Sequence, residues 1–495
     1  MNRRDFLASL GGLSLLGLAP GRAQAGTMHA MAHAVAAPVE LAPLDALPGG
    51  APLGALTRLA NTSGQPGLFR ATLRAAPVNM PLIAAGQTEF WAYNDGLPGP
   101  LIEVSEGDTV EILFENRLPR ATTVHWHGLP IPPEQDGNPQ DPVPPGGQRR
   151  YRFTLPVGSA GTYWYHPHPH GDTPEQVYRG LAGPFVVRAK ADPLAGIAER
   201  HVLISDLKLA RDGSIAPNDA NDEMNGREGQ FVLVNGQHRP VIVFDAAGRE
   251  RWRVWNATSA RYLQLTLPGA TLTLVGTDGG LLEKPQAGLG ELLLAPGQRV
   301  ELIVDAGTAG GMAELVAAPY ARGKMGDVAP DQPVRLLSVD FGSPRATVPA
   351  PLPATLARID ALGKPRAGKR VVFSERMSMA GGQHSMTFLI NGRLFDMKRI
   401  DFVSRAGQVE LWEIANEADM DHPFHIHGTQ FQVVERVQDG KTVKAPYRAW
   451  HDTINVKPGE TVRIKLVQHF KGIRMFHCHI LEHEGAGMMG QLRVV

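Results

Sequence analysis

Near its C-terminus the sequence reads His477-Cys478-His479-Ile480-Leu481-Glu482-His483-Glu484-Gly485-Ala486-Gly487-Met488, a stretch that holds the chain's only cysteine. A thiolate, an imidazole five residues later and a thioether ten residues later form a donor set that favours copper in electron transfer. His477 and His479 flank Cys478, and on an extended strand their side chains point to the face opposite the thiol. The stretch therefore predicts two metal centres separated by a single residue.

Three further histidine clusters follow stretches that alternate in polarity: His125-Trp126-His127, His166-Pro167-His168 and His422-Pro423-Phe424-His425-Ile426-His427. In each His-x-His pair both imidazoles lie on one face of a strand, because side chains alternate. A single pair of this kind is more often packed or hydrated than metal-bound. Four pairs supply eight imidazoles, enough for three metal ions, and leave four donors for a separate ion: His422, Cys478, His483 and Met488.

In order and spacing, these four motifs resemble those of the multicopper oxidases, in the bacterial branch of laccases and copper efflux oxidases. The resemblance extends over nearly the whole chain after its N-terminal leader. It implies an all-β fold of three cupredoxin-like Greek-key β-sandwich domains, with a trinuclear cluster between the first and the third. It also implies four copper ions as cofactors: type 1 on His422, Cys478, His483 and Met488, type 2 on His125 and His425, and a type 3 pair on His127, His166 and His479 and on His168, His427 and His477.

The activity that the resemblance implies is laccase-like: one-electron oxidation of phenolic or similar donors, coupled to four-electron reduction of O2 to water. Electrons would leave the type 1 site through Cys478 and reach the cluster through His477 and His479. The alternative donor is cuprous ion, for copper tolerance, although Met377, Met379, Met386 and Met397 are too sparse for a methionine-rich insertion. A copper-free scaffold with a structural or cell-division role is a third hypothesis, against which the complete ligand set argues.

Carboxylates near the cluster are needed to deliver protons, and the resemblance implies that Asp136 and Glu484 are these catalytic groups. Each could instead be an ordinary loop residue. Met489 is the alternative to Met488 as axial ligand, but the ten-residue spacing from Cys478 favours Met488. The segment Asp419-Met420-Asp421 is interpreted equally well as a small cation site near the electron entry and as a solvated turn.

Composition narrows the classes of partner. Forty prolines, 55 glycines and 20% charged residues suit a turn-rich β protein. A formal net charge of zero gives no electrostatic footprint for nucleic acid or for a membrane surface. One cysteine excludes an intrachain disulfide framework. The expected partners are O2 and a small-molecule or metal-ion electron donor, and the expected assembly is a monomer.

The N-terminus has the character of a targeting segment. Arg3-Arg4-Asp5-Phe6-Leu7 resembles a twin-arginine signal, an apolar stretch follows, and Ala23-Gln24-Ala25 is a small-residue cleavage site. The apolar stretch is too short to span a bilayer. Residues 1–25 are therefore predicted to be a signal peptide read by the twin-arginine export machinery, and the enzyme is expected to be periplasmic or secreted, without stable membrane insertion.

Internal repeats set the domain count. Asparagine-containing turns precede alternating strands that close at Asn116, Asn256 and Asn416, and a Pro-Gly turn feeds a strand at Pro145, Pro296 and Pro458. Three copies of two markers predict three related β domains, at 56–190, 198–342 and 369–495. A flexible arm at 26–55 and a proline-rich linker at 343–368 complete the chain. The middle domain has no His-x-His pair and no cysteine, so its expected role is to hold its neighbours in register.

Overall fold

The computed structural model describes residues 39–245, 248–308, 310–344, 349–380 and 383–495. Within these residues it contains 31 strands, three α-helices of five or six residues and one 3-10 helix. The predicted all-β class is thereby confirmed. The predicted signal peptide at 1–25 and the first part of the arm lie outside the described residues. No helix in the described ranges is long and apolar enough to cross a membrane.

The first sandwich consists of two four-stranded sheets, ordered β2-β1-β4-β6 and β3-β8-β7-β5. Its strands are β1 (Leu68–Ile83), β2 (Gly86–Tyr93), β3 (Ile102–Ser105), β4 (Thr109–Asn116), β5 (His125–His127), β6 (Gln148–Thr154), β7 (Gly161–His166) and β8 (Gly183–Arg188). Its core includes Ile112, Trp126 and Phe185 from both sheets. A 3-10 helix (Pro133–Gln135) and α1 (Thr173–Tyr178) lie in its loops.

The second sandwich packs a seven-stranded sheet, β11-β10-β9-β13-β18-β15-β16, on a five-stranded sheet, β12-β20-β19-β14-β17. Its elements are β9 (Ala198–Leu207), α2 (Ala220–Asn225), β10 (Phe231–Val234), β11 (Gln237–His238), β12 (Val241–Val243), β13 (Arg249–Asn256), β14 (Leu263–Thr266), β15 (Thr271–Thr277), β16 (Gly280–Leu289), β17 (Leu292–Leu294), β18 (Arg299–Asp305), β19 (Met312–Ala318) and β20 (Val334–Asp340). Trp252, Leu302 and Leu337 lie in its core.

The third sandwich pairs the sheets β22-β21-β24-β29-β26-β27 and β23-β31-β30-β25-β28. Its elements are β21 (Ala367–Ala380), β22 (Gln383–Ile390), β23 (Phe402–Ser404), β24 (Val409–Asn416), β25 (His422–Ile426), β26 (Phe431–Gln438), β27 (Lys441–Lys444), β28 (Thr453–Val456), β29 (Thr461–Val467), β30 (Gly472–Cys478), α3 (Leu481–Gly485) and β31 (Met489–Val494). Along β29 every second residue is buried, namely Val462, Ile464 and Leu466, as expected for a strand with one face on a core.

The two repeated sequence markers contact each other in all three sandwiches. The glycine N–H of each Pro-Gly turn donates to the carbonyl of the closing asparagine: Gly146 to Asn116 at 2.8 Å, Gly297 to Asn256 at 3.0 Å, and Gly459 to Asn416 at 2.9 Å. Each asparagine Nδ2 also donates to two backbone carbonyls, one of them four or five residues later. The repeat is therefore one hydrogen-bonded corner built three times.

Residues 39–55, which belong to the segment expected to be a loose arm, pack against the second sandwich. Ala42 and Leu47 are buried there, and the N–H of Ala42 donates to the carbonyl of Leu209 at 2.9 Å. Apolar side chains at these positions explain the packing. In the segment expected to be a linker, Leu356 and Ile359 are buried, so its described part lies along the protein surface with some side chains inserted.

Candidate metal centre

Strand pairing brings the histidine motifs together two by two. In the first sandwich β5 pairs with β7, so that His125 lies opposite His166. In the third, β25 pairs with β30, so that His425 lies opposite His477. The first and the third sandwich therefore each present four imidazoles at the end of two neighbouring strands, and all eight are fully buried.

The two sets of four imidazoles meet in one site. The ring of His125 stacks on His427 with centroids 3.7 Å apart, and the ring of His127 stacks on His425 at 3.8 Å. Nε2 of His168 lies 3.2 Å from Nε2 of His477. Imidazoles from residues 125–168 and 425–479 thus share one enclosed volume, the arrangement expected from the sequence.

Within this cluster, subsets of imidazoles are close enough to hold one ion. His168, His427 and His477 place their ligand nitrogens within 4.8 Å of one another, and they are one of the two type 3 sets that the resemblance implies. For the other set, Nδ1 of His127 lies 3.4 Å from Nε2 of His166, and the His127 and His479 ring centroids are 5.0 Å apart. The ring centroids of His125 and His425, implied for type 2, lie 5.7 Å apart.

The chemistry of the buried nitrogens fits a metal. In the described part of the chain, no hydrogen-bond partner is found for Nε2 of His125, His422 and His425, for Nδ1 of His168, His427 and His483, or for either nitrogen of His479. Buried polar atoms are otherwise almost always satisfied. Burial lowers the pKa of nine of the ten candidate ligand histidines: His127, His166, His168, His422, His425, His427, His477, His479 and His483. They are neutral at pH 7, the form that binds copper.

A second group of donors lies beside the first. Nδ1 of His422 is 3.4 Å from Sγ of Cys478, and His483 has its ligand atom within 4.8 Å of both. Burial raises the pKa of the Cys478 thiol, so its deprotonation requires a cation. Met488 is buried in the same apolar cluster as Cys478.

The two candidate axial methionines lie on opposite faces of the sheet. Met489 lies directly opposite His477 in the β30–β31 pair, and opposite residues of such a pair have their side chains on one face of the sheet. Cys478 follows His477 and points to the other face. The neighbour of Met489, Met488, is therefore on the side of the thiol, and its carbonyl accepts from the N–H of Cys478 at 3.1 Å.

Asp136 and Glu484 both lie at the imidazole cluster. Oδ1 of Asp136 is 3.2 Å from Nδ1 of His125, and Oδ2 is 3.5 Å from both Nδ1 of His427 and Nη1 of Arg474. Glu484, on α3, has Oε1 at 3.6 Å from His168 and Oε2 at 3.8 Å from His477. Burial raises the pKa of Glu484 to about 8, although the nearby Thr173 side chain opposes the shift.

Asp452 is a site residue that the sequence analysis missed. It is fully buried, with Oδ1 3.0 Å from Nε2 of His127, and its backbone carbonyl lies 2.9 Å from Nδ1 of His425. Burial raises the pKa of this carboxyl, but Arg299 and His425 together outweigh burial, and the pKa lies below its usual value. A lone aspartate before a short strand gives no signal in sequence, because two of the partners that define its role, Arg299 and His127, lie 153 and 325 positions away.

The mononuclear group is covered on its outer side. Nε2 of His483 lies 3.1 Å from the carbonyl oxygen of Met224 on α2, and its ring stacks on Phe388 with centroids 3.7 Å apart. Half-buried Met325 and Met386 pack against the same core. Met386 belongs to the methionines that are too few for a methionine-rich insertion. Nothing in the sequence indicates that α2 lies over the mononuclear group. Asp421 accepts hydrogen bonds from Tyr320 and Asn455, so it is a buried, paired side chain rather than part of a solvated turn.

Comparison with known proteins agrees with this geometry. Three family models described as multicopper oxidase match residues 77–192, 206–315 and 373–495. The chain is 34% identical to the multicopper oxidase mco of Staphylococcus aureus, over 83% of this chain and 86% of that protein. It is 27% identical to the laccase of Bacillus subtilis, over 81% of this chain and 89% of that protein.

Among solved structures, a multicopper oxidase from Campylobacter jejuni, described as a metallo-oxidase, is 45% identical. Its TM-score is 0.89, and the match covers 93% of this chain and 98% of that one. The family, its cupredoxin-like domains and an oxygen-dependent oxidoreductase activity, all expected from the motifs, are confirmed. The chain belongs to the multicopper oxidase family.

Proposed function

We propose that the chain holds four copper ions and couples one-electron oxidation of small electron-rich donors, phenols in the first place, to four-electron reduction of O2 to water. The proposed ligands are those implied by the motifs: His422, Cys478, His483 and Met488 for one ion, and His125, His425, His127, His166, His479, His168, His427 and His477 for three. The observation that carries the proposal is the 3.2 Å approach of His168 to His477, which joins histidines of two sandwiches in one buried site.

The copper ions supply the redox chemistry when bound; the protein supplies geometry, access and protons. Cys478 connects the two groups of donors covalently, because its direct neighbours His477 and His479 belong to the imidazole cluster. Glu484, whose pKa lies at about 8, holds a proton at neutral pH beside His168 and His477. Asp136 lies on the other side of the cluster, beside His125 and His427. These two carboxyl groups are the proposed proton donors.

We also propose a division of the chain into three domains, an assembly state and an export route. Domains at 56–190, 198–342 and 369–495 are supported by the three sandwiches, whose strands run from Leu68 to Arg188, from Ala198 to Asp340 and from Ala367 to Val494. We propose a monomer, exported by the twin-arginine route to the periplasm or the medium. Arg3 and Arg4 support this route as sequence signals only, since they lie outside the described residues.

Cuprous ion is the second candidate donor, and the cover over the mononuclear group favours it. The His483 ring is buried beneath α2 and Phe388, which leaves little room for a bulky ring to contact it. Thioethers of Met224, Met325 and Met386 near this cover are soft ligands suited to cuprous ion. The Campylobacter jejuni relative is described as a metallo-oxidase.

Copper analysis and O2 uptake test the proposal. The loaded protein should contain about four copper ions per chain and consume O2 with 2,6-dimethoxyphenol. The Cys478→Ser variant should lose this activity. With cuprous ion as donor, the O2 uptake that remains with this variant measures spontaneous oxidation and is subtracted. If Met325→Leu and Met386→Leu slow cuprous oxidation and leave the phenol rate intact, the metal is the preferred donor. Copper-free protein with no uptake from either donor would instead indicate the scaffold role.

A further inference from the structure

A buried arginine of the second sandwich joins all three sandwiches. Arg299, at the start of β18, donates from Nε to the carbonyl of Thr162 at 2.9 Å in the first sandwich. Its two terminal nitrogens donate to the two carboxylate oxygens of Asp452 in the third sandwich, at 2.7 and 2.5 Å. Its backbone N–H donates to Asp278, also in the second sandwich, at 2.8 Å. Both Arg299 and Asp452 are fully buried.

Asp452, the partner of Arg299, also contacts two of the imidazoles. Its Oδ1 lies 3.0 Å from His127 of the first sandwich, and its backbone carbonyl lies 2.9 Å from His425 of the third. Thr453, the next residue, places Oγ1 3.2 Å from His127 and 3.1 Å from His425. Its carbonyl in turn accepts from Nε2 of Gln298 at 3.1 Å. Gln298 and Arg299 of the second sandwich thus hold Asp452 and Thr453 in place. These two residues in turn orient the rings of His127 and His425.

Gly297, which directly precedes Gln298 and Arg299, packs closely against the ring of a third imidazole, His479. A methyl group at its Cα would lie 2.8 Å from both Cδ2 and Nε2 of His479, closer than such atoms approach. At the equivalent repeat positions Gly146 and Gly459, which have similar positive φ angles, an added Cβ meets no atom within 4 Å in the described residues. The close approach is therefore particular to the middle copy of the repeated turn.

We propose that the turn Gly297-Gln298-Arg299 is a positioning element of the trinuclear copper site. The second sandwich contributes no histidine to that site, yet this turn fixes His127 and His425 through Asp452 and Thr453, and it limits the position of His479. The inference rests on the proposed copper cluster. Metal-binding imidazoles depend on partners that orient them, and loss of such partners typically costs about 10- to 100-fold in metal affinity or activity.

A glycine series isolates this role from ordinary backbone strain. Gly297→Ala, Gly146→Ala and Gly459→Ala all place a side chain in the left-handed region, where it is strained. Only Gly297→Ala also meets His479. We expect it to lower cluster copper content and to alter the type 2 electron paramagnetic resonance signal, with the blue absorption at Cys478 retained. Equal behaviour of the three variants in these measurements would overturn the inference.

Arg299→Met provides the second arm, with Arg253→Met as its matched control. Arg253 is also buried and donates to Glu301 and to Thr162 of the first sandwich, but its ion pairs are with Glu199 and Glu301 rather than with Asp452. Arg299→Met should reduce cluster copper and slow O2 reduction about 10- to 100-fold, and Arg299→Lys should restore part of it. Arg253→Met should retain the cluster signals. A wild-type protein without cluster copper would defeat the proposed function, whereas intact cluster signals in Arg299→Met would defeat only this inference.

Discussion

Oε1 of Glu484 lies 3.6 Å from Nε2 of His168, so a carboxyl group of the third sandwich faces an imidazole of the first. The other oxygen lies 3.8 Å from His477. Because burial raises the pKa of Glu484 to about 8, this side chain is protonated at neutral pH and ionises only above it. An acid in this position is placed to deliver a proton to the proposed copper cluster.

Glu484→Gln should slow O2 reduction about 100-fold, because glutamine keeps the shape of the side chain and cannot give up a proton. The blue absorption should stay intact, since Glu484 does not belong to the mononuclear group. Steady-state O2 uptake and visible spectra, recorded at acidic and neutral pH, check both parts. Unchanged turnover at both pH values would show that the proton comes from elsewhere.

Asp136→Asn should slow the same reaction and also lower stability. Arg474 is fully buried 3.5 Å from Asp136, and a buried guanidinium that loses its carboxylate partner costs about 3 kcal/mol. Urea unfolding of the copper-free protein measures the stability change, and O2 uptake measures the rate. Asp141→Asn, at a half-exposed carboxylate 3.6 Å from Arg149, is the control and should leave both nearly unchanged.

Met488→Leu should raise the reduction potential of the mononuclear copper, because an axial thioether stabilises the oxidised ion more than a hydrocarbon does. Met489→Leu is the matched control, since Met489 shares the face of His477. Redox titration of the blue absorption compares the two variants. A shift in Met489→Leu and none in Met488→Leu would reverse the assignment of the axial ligand.

The copper-free protein should lose stability on acidification below pH 6.5. The nine buried histidines with lowered pKa stay neutral when folded, whereas the same side chains take up protons in the unfolded chain. Stability is therefore present above pH 6.5 and falls as the pH decreases, by about 1.4 kcal/mol per pH unit for each neutral imidazole. Thermal unfolding between pH 7 and 5 checks the sign. Stability that is flat over this range would contradict it.

The histidine motifs were predictable because each is a local pattern on a strand, and their order along the chain is that of a family. Met488 follows from its spacing to Cys478. The partners of these residues were not predictable in the same way. Asp452 acts on His127 across 325 positions of sequence, and Gly297 differs from Gly146 only in what packs against it. Residues 39–55 have a composition typical of loose segments, but Ala42 and Leu47 find apolar partners that sequence does not show.

The split origin of the imidazoles makes the complete cage depend on the whole fold. Residues 125–168 supply four imidazoles and residues 425–479 the other four, and Arg299 of the second sandwich contacts both neighbouring sandwiches. Neither set alone contains all eight rings, so mutual docking of the sandwiches, rather than the folding of any one of them, creates the geometry into which the metal ions would fit.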